Sequence, residues 1–126
     1  MDAGTSGSRT LPRARRIKQG RDFTRAKLEG KRAANGCLIA NWLVLPETTA
    51  ASRVGVITSR KVGDAVKRSR ARRLLREAFR VHQADLLRPV DLILVARSSI
   101  VGKTFAEVEK DLLGALNRAG LLKETK

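Results

Sequence analysis

The sequence predicts an α+β domain in which helices pack on a mixed β-sheet, and three observations carry that expectation. Aliphatic runs at residues 37–45, 53–59 and 90–96 read as strands. Segments with apolar residues every three to four positions, at 64–83 and 104–119, read as helices. The elements follow one another as helix, two or three strands, helix, strand, helix, without internal repeats. At 126 residues the chain has the length of one domain, and with three Phe, one Trp and no Tyr its core must be mostly aliphatic.

Taken in order, the first eight residues are rich in Gly, Ser and Thr and read as a disordered leader. The expected division is a tail at 1–10, a single domain at 11–122 and a short tail at 123–126. Residues 20–29 predict a short helix resting on Phe23, Ala26 and Leu28 and stopped by Gly30. The strands at 37–45 and 53–59 are joined by a Pro- and Thr-containing segment, which predicts an antiparallel pair. Asp64 is placed to cap the next helix, and Arg88-Pro89 interrupts the chain before the apolar run at 90–96. The strands at 53–59 and 90–96 flank a helix, so they are expected to be parallel neighbours. Thr104 with Glu107 three residues on is a capping-box pattern, Leu112, Leu113, Leu116 and Ala119 form a stripe, and Gly120 is a terminator.

Charge says most about function. The chain carries 27 Lys and Arg against 12 Asp and Glu, a net charge of +15. The excess is confined to residues 9–32 and 60–80, whereas the remainder is balanced, so the charge is a surface feature and predicts a polyanionic partner. A membrane surface would attract such a patch, but binding there favours a helix with large apolar residues opposite the charge. The longest apolar stretches fall far short of the ~20 residues a membrane helix requires. Cys37 is a lone cysteine that cannot form an internal disulfide, and a reducing cytoplasm is expected.

On a helical wheel Ala71, Leu74, Leu75, Ala78, Phe79 and Val81 share one arc, and Arg70, Arg72, Arg73, Arg76 and Arg80 share the other with Ser69. Lys67 and Arg68 fall in a first turn that must project beyond the core. Residues 67–80 hold seven basic side chains and one acid, Glu77, which can relieve only Arg73 and Arg80. A solvated helix face normally interleaves more acids, so this face gains most by meeting phosphates, which guanidinium forks match bidentately.

Catalytic signals are absent. His82, the only histidine, is expected to be a packed or half-exposed neutral side chain, and Cys37 a core residue. One His and one Cys make none of the common structural zinc sites. Gly102-Lys103-Thr104 stands between a strand and a helix, but the phosphate-binding loop it suggests needs a Gly where Arg97 stands. Of the scattered carboxylates, Glu107, Glu109 and Asp111 are expected to support a helix N-terminus. No catalytic residue and no metal ligand is expected in the protein itself.

The segment Arg60-Lys61-Val62-Gly63-Asp64-Ala65-Val66-Lys67-Arg68-Ser69-Arg70-Ala71-Arg72-Arg73-Leu74-Leu75-Arg76-Glu77-Ala78-Phe79-Arg80 resembles the signature of the bacterial ribonuclease P protein component. Arg68-Ser69-Arg70 matches that family's Arg-Asn-Arg motif. Arg16-Ile17-Lys18 with Arg21-Asp22-Phe23, Arg53-Val54-Gly55-Val56 and Asp91-Leu92-Ile93-Leu94-Val95-Ala96-Arg97 add to the likeness. Three positions depart from it: Ser69 replaces the motif's Asn, Lys27 stands where a second aromatic is common, and a strand aromatic is replaced by Asn41 or shifted to Trp42.

The resemblance implies an αβββαβα sandwich with a mixed four-stranded sheet and a left-handed βαβ crossover. It implies a protein subunit, monomeric when free, that joins a catalytic RNA to remove the 5′ leader of precursor tRNA, the RNA using Mg²⁺. Wheel and resemblance together assign Arg60, Lys61, Lys67, Arg68, Ser69, Arg70, Arg72, Arg73 and Arg76 to the catalytic RNA. A leader cleft between the first helix and the sheet would be lined by Arg16, Phe23, Lys27, Trp42, Arg53, Ser59 and Lys61. Composition alone fits a ribosomal-type structural RNA-binding protein equally well, and a stand-alone nuclease is the third alternative.

Overall fold

The computed structural model describes residues 30–46 and 52–123. The expected leader and the expected helix at 20–29 lie outside the described residues. Within them run β1 (Lys31–Asn35), β2 (Leu38–Val44), β3 (Arg53–Ile57), α1 (Ala65–His82), β4 (Val90–Ala96) and α2 (Phe105–Arg118), with short 3-10 turns between. The sheet order is β1-β2-β4-β3. It is a mixed sheet, antiparallel from β1 to β4 and parallel between β4 and β3.

That order corrects one expectation. β2 and β3 do not pair with each other, because β4 lies between them. The physical reason is that β4 is the most apolar run of the chain: six of its seven residues are buried, so it takes the centre of the sheet and its less apolar neighbours take its flanks. The hairpin is instead made by β1 and β2, in register from Asn35–Leu38 to Lys31–Trp42. Its loop is Gly36-Cys37, with φ of 56° at Gly36 and no positive φ at Cys37, which is the pattern of a type II′ turn.

One carboxylate fastens this turn to α2. Asp111 Oδ2 accepts from Cys37 N at 2.9 Å, and its main-chain carbonyl accepts from Asn35 Nδ2 at 2.9 Å. Cys37 is fully buried there, and burial, followed by its contact with Asp111, pushes the thiol up to about 12, so it stays protonated. Of the three acids expected to support the start of α2, only Glu107 does so, in a complete capping box with Thr104.

The two helices cover one face of the sheet. Leu38, Ala40 and Trp42 of β2, Val54 of β3 and Leu92 and Leu94 of β4 meet Ala71, Leu75, Ala78 and Phe79 of α1 and Val108, Leu112, Ala115 and Leu116 of α2. Leu113 and Ala119, expected in the α2 stripe, are half-buried. Val81, expected on the apolar arc of α1, is exposed, because the last turn of α1 presents His82 toward α2 instead. The other sheet face has a smaller cluster: Ile93 at 0% exposure with Leu43, Ile57 and Val95. Beside it, Asp91 at 3% exposure is held by both arms of Arg53, at 2.9 and 2.7 Å.

His82 departs from the neutral residue expected. Its Nδ1 meets Asp85 at 2.9 Å and its Nε2 meets Glu109 on α2 at 2.6 Å. Burial works to lower its pKa, but the two carboxylates outweigh burial and the net direction is upward. A carboxylate at each ring nitrogen favours the charged ring, which can donate to both.

Two predictions come from these contacts. A Cβ on Gly36 would overlap the Asp111 carboxylate in a left-handed conformation, so Gly36→Ala should cost roughly 1–3 kcal/mol in denaturant titrations. Since the folded-state pKa of His82 is raised, its contribution is complete below the ordinary value near 6.5 and is lost as pH rises through the folded-state value. Thermal melts should therefore decline across that interval in the parent chain and not in His82→Gln.

Candidate nucleic-acid interface

The basic residues converge on α1 because its start is fixed twice. In the 3-10 turn Arg60–Val62, Ser59 Oγ accepts from Lys61 N at 3.2 Å; at the helix cap, Asp64 Oδ1 accepts from Lys67 N at 3.0 Å. Gly63 joins the two with a φ of 138°, a conformation open to glycine. This turn points its carbonyl at α1, where Arg68 Nη1 donates to it at 2.9 Å.

Neutral acceptors hold two further guanidiniums of α1 beside Arg68, as they also hold Arg97 on the Gly36 carbonyl and Arg118 on the Ala34 carbonyl. Arg70 Nη2 donates to the carbonyl of Lys103 at 2.9 Å, and Arg72 Nη1 donates to Thr58 Oγ1 at 2.8 Å. A neutral acceptor fixes the planar group without cancelling its charge. The side-chain ordering that an anion would otherwise have to impose is thus partly done in advance. Among the described residues, Arg60, Lys61, Lys67, Arg68, Arg70, Arg72 and Arg73 have no carboxylate partner. Arg80 differs: Glu77 pairs with it at 2.5 Å, and the Arg80 hydrogen bond lowers the Glu77 pKa.

The residues expected to face the catalytic RNA lie along α1 and the turn before it, on both of its flanks: Arg72 leans to Thr58 and Arg70, two residues away, leans to Lys103. Arg60, Lys61, Lys67, Ser69, Arg70 and Arg73 are exposed, and Arg68, Arg72 and Arg76 are half-buried along the same helix. The residues expected in the leader cleft are divided. Arg16, Phe23 and Lys27 lie outside the described residues. Arg53 opens β3 on the sheet face away from the helices, where Asp91 occupies its fork. Ser59 and Lys61 follow the other end of that strand, about 20 Å along an extended chain from Arg53. Trp42 is not brought to them: it pairs in register with Leu92 on the helix side of the sheet and is buried there.

Sequence reasoning missed two groups. Thr58 anchors Arg72, yet nothing in the sequence links the end of a strand to a side chain 14 residues on. The carbonyl of Lys103, in the turn that fails as a phosphate loop, anchors Arg70. Among the described residues no three His, Cys, Asp or Glu stand together as metal ligands. No described helix is long and apolar enough to cross a membrane.

The sequence profile of the family Ribonuclease P matches residues 11–120. The ribonuclease P protein component of Clostridium novyi is 36% identical, over 84% of this chain and 94% of its own length. That of Gluconacetobacter diazotrophicus is 37% identical, over 86% and 94%. The Staphylococcus aureus RNase P protein structure superimposes with a TM-score of 0.77 at 29% identity, covering 88% of this chain and 100% of that one.

The exposed arginines of α1 predict a salt signature. The double change Arg70→Ala, Arg73→Ala should flatten the slope of log K against log salt for a polyanion by roughly 0.7–0.9 per lost contact. Helical circular dichroism should persist, since Ala is the better helix former. An unchanged slope with intact helix would mean that this face is merely solvated.

Proposed function

The chain belongs to the ribonuclease P protein family, and from that premise we propose that it is the protein subunit of a ribonuclease P holoenzyme, a tRNA 5′-maturation endoribonuclease. In this reading the α1 face binds the catalytic RNA, and the chain contacts the 5′ leader of precursor tRNA. The observation that carries it is that Arg68, Arg70 and Arg72 of α1, within the matched segment, are held by neutral acceptors and have no carboxylate partner among the described residues.

The physical task is electrostatic. A catalytic RNA and a precursor tRNA repel each other at close range, and a basic protein between them lowers that repulsion while holding the leader in register. Hydrolysis belongs to the RNA partner, whose phosphates hold the Mg²⁺. This chain supplies binding and orientation. Lys61 stands where the exposed 3-10 turn meets α1, between the face proposed for the RNA and the β3 edge proposed for the leader.

Reconstitution tests the proposal. Precursor tRNA should stay intact with the protein alone and be cleaved with an added ribonuclease P RNA, at a lower Mg²⁺ concentration when the protein is present. Metal-dependent cleavage by rigorously RNA-free protein, or no effect of the protein on the RNA reaction, would overturn it. In the same system Lys61→Ala should weaken leader-bearing precursor by about fivefold, the size of one lost contact worth about 1 kcal/mol, and mature tRNA much less.

A further inference from the structure

A second basic site lies at the opposite end of the sheet from the start of α1. There β2 ends opposite the beginning of β4, Val44 pairing with Val90, and the chain leaving α2 returns so that Leu87 N donates to the Leu121 carbonyl at 2.8 Å. These segments border an open cavity of about 430 Å³ whose lining includes Trp42, Val44, Gly120, Leu121, Lys31 and Arg88. That volume is in the range of small-ligand sites, about 300–1,000 Å³.

Two features of the lining are not engaged by hydrogen bonds or ion pairs among the described residues. Trp42 is only 6% exposed, yet its indole N–H has no acceptor among the described residues. A buried donor without a partner is costly and is usually answered by water or a ligand. Lys31 and Arg88 are exposed cations without a carboxylate partner among the described residues. The cavity therefore offers an apolar wall, one orphan donor and two positive charges.

An inorganic phosphate would leave the apolar wall and the indole unsatisfied, and an uncharged apolar molecule would leave the cations and the donor unsatisfied. A nucleotide meets all three demands: a flat base with acceptor atoms and a phosphate. We propose that this cavity is a nucleotide subsite, taking one unstacked nucleotide with its base against Trp42 and its phosphate against Lys31 and Arg88. The proposal rests on the RNA-binding reading above and gives that function a second surface. The nucleotide is either part of a bound RNA or a free mononucleotide.

The chain has a single tryptophan, so its indole N–H gives one assignable signal in nitrogen-15 NMR. The full chain would be titrated with uridine monophosphate, with a short oligouridylate and with inorganic phosphate. Both nucleotide ligands should move the signal saturably, and phosphate should not. Arg88→Ala and Lys31→Ala should each weaken the response about tenfold, as loss of a charge-assisted contact does. Lys110→Ala, an exposed cation elsewhere on α2, should leave it unchanged. Tighter saturation by the oligonucleotide identifies a residue of bound RNA as the occupant, and tighter saturation by the mononucleotide identifies the free molecule. A signal unmoved by either ligand, or moved equally in both cavity variants, overturns the subsite even where the salt series shows RNA binding. Loss of binding in the salt series alone would count against the RNA-binding reading, while the mononucleotide arm still reads the cavity.

Discussion

β4 is buried on both faces along nearly its whole length, so strands must flank it and other groups must cover it above and below. The parallel pairing of β3 with β4 follows, because a strand that returns through a helix to lie beside its predecessor runs in the same direction. So does the site of α1, which has to cross the sheet between those two strands. The arginine row is thereby set at the rim where β3 ends. Asp91 would be untenable in so apolar a strand without Arg53, whose fork satisfies both its oxygens.

The ionic side chains thus divide by what they touch. Arg53 with Asp91, Arg80 with Glu77, and His82 with Asp85 and Glu109 have their charges answered within the chain and join one element to itself or its neighbours. Arg68, Arg70 and Arg72 touch only carbonyls or a hydroxyl, so their charge is left for something outside. The distinction separates Arg53 from the α1 arginines although all were assigned to binding from the sequence. It is a difference of acceptor, invisible in composition.

What was legible in the sequence was local. Asp64 and the Thr104-Glu107 box lie within a turn of the backbone they cap, so residue type and spacing decide the outcome. The polar and apolar arcs of α1 are likewise set by helical geometry. The β1–β2 hairpin was not read from the sequence, which placed the hairpin between 37–45 and 53–59, because Lys31 and Arg32 open β1 and weaken its strand signal. The rest required knowing which distant segments meet. The face on which Trp42 lies depends on the register of β2 with β4, Arg53 finds its partner 38 residues away, and Glu109 reaches His82 only because the helices pack. Arg16, Phe23 and Lys27 lie outside the described residues, so the expected leader cleft rests on its sheet side alone.

The sheet order also governs when the chain can fold. The β1–β2 hairpin closes over a two-residue loop, a contact of microsecond character, whereas every other ladder of the sheet contains β4. No bond joins β2 to β3, so a nascent chain that has not yet reached residue 90 has a hairpin, a lone strand and an arginine-rich helix with no sheet to rest on. The four-stranded sheet cannot close before the late strand arrives, and closing it brings together segments distant in sequence, the kind of contact that forms slowly. Until that strand arrives, the described residues offer the apolar side of α1 and the inner side of the hairpin only each other to hide against.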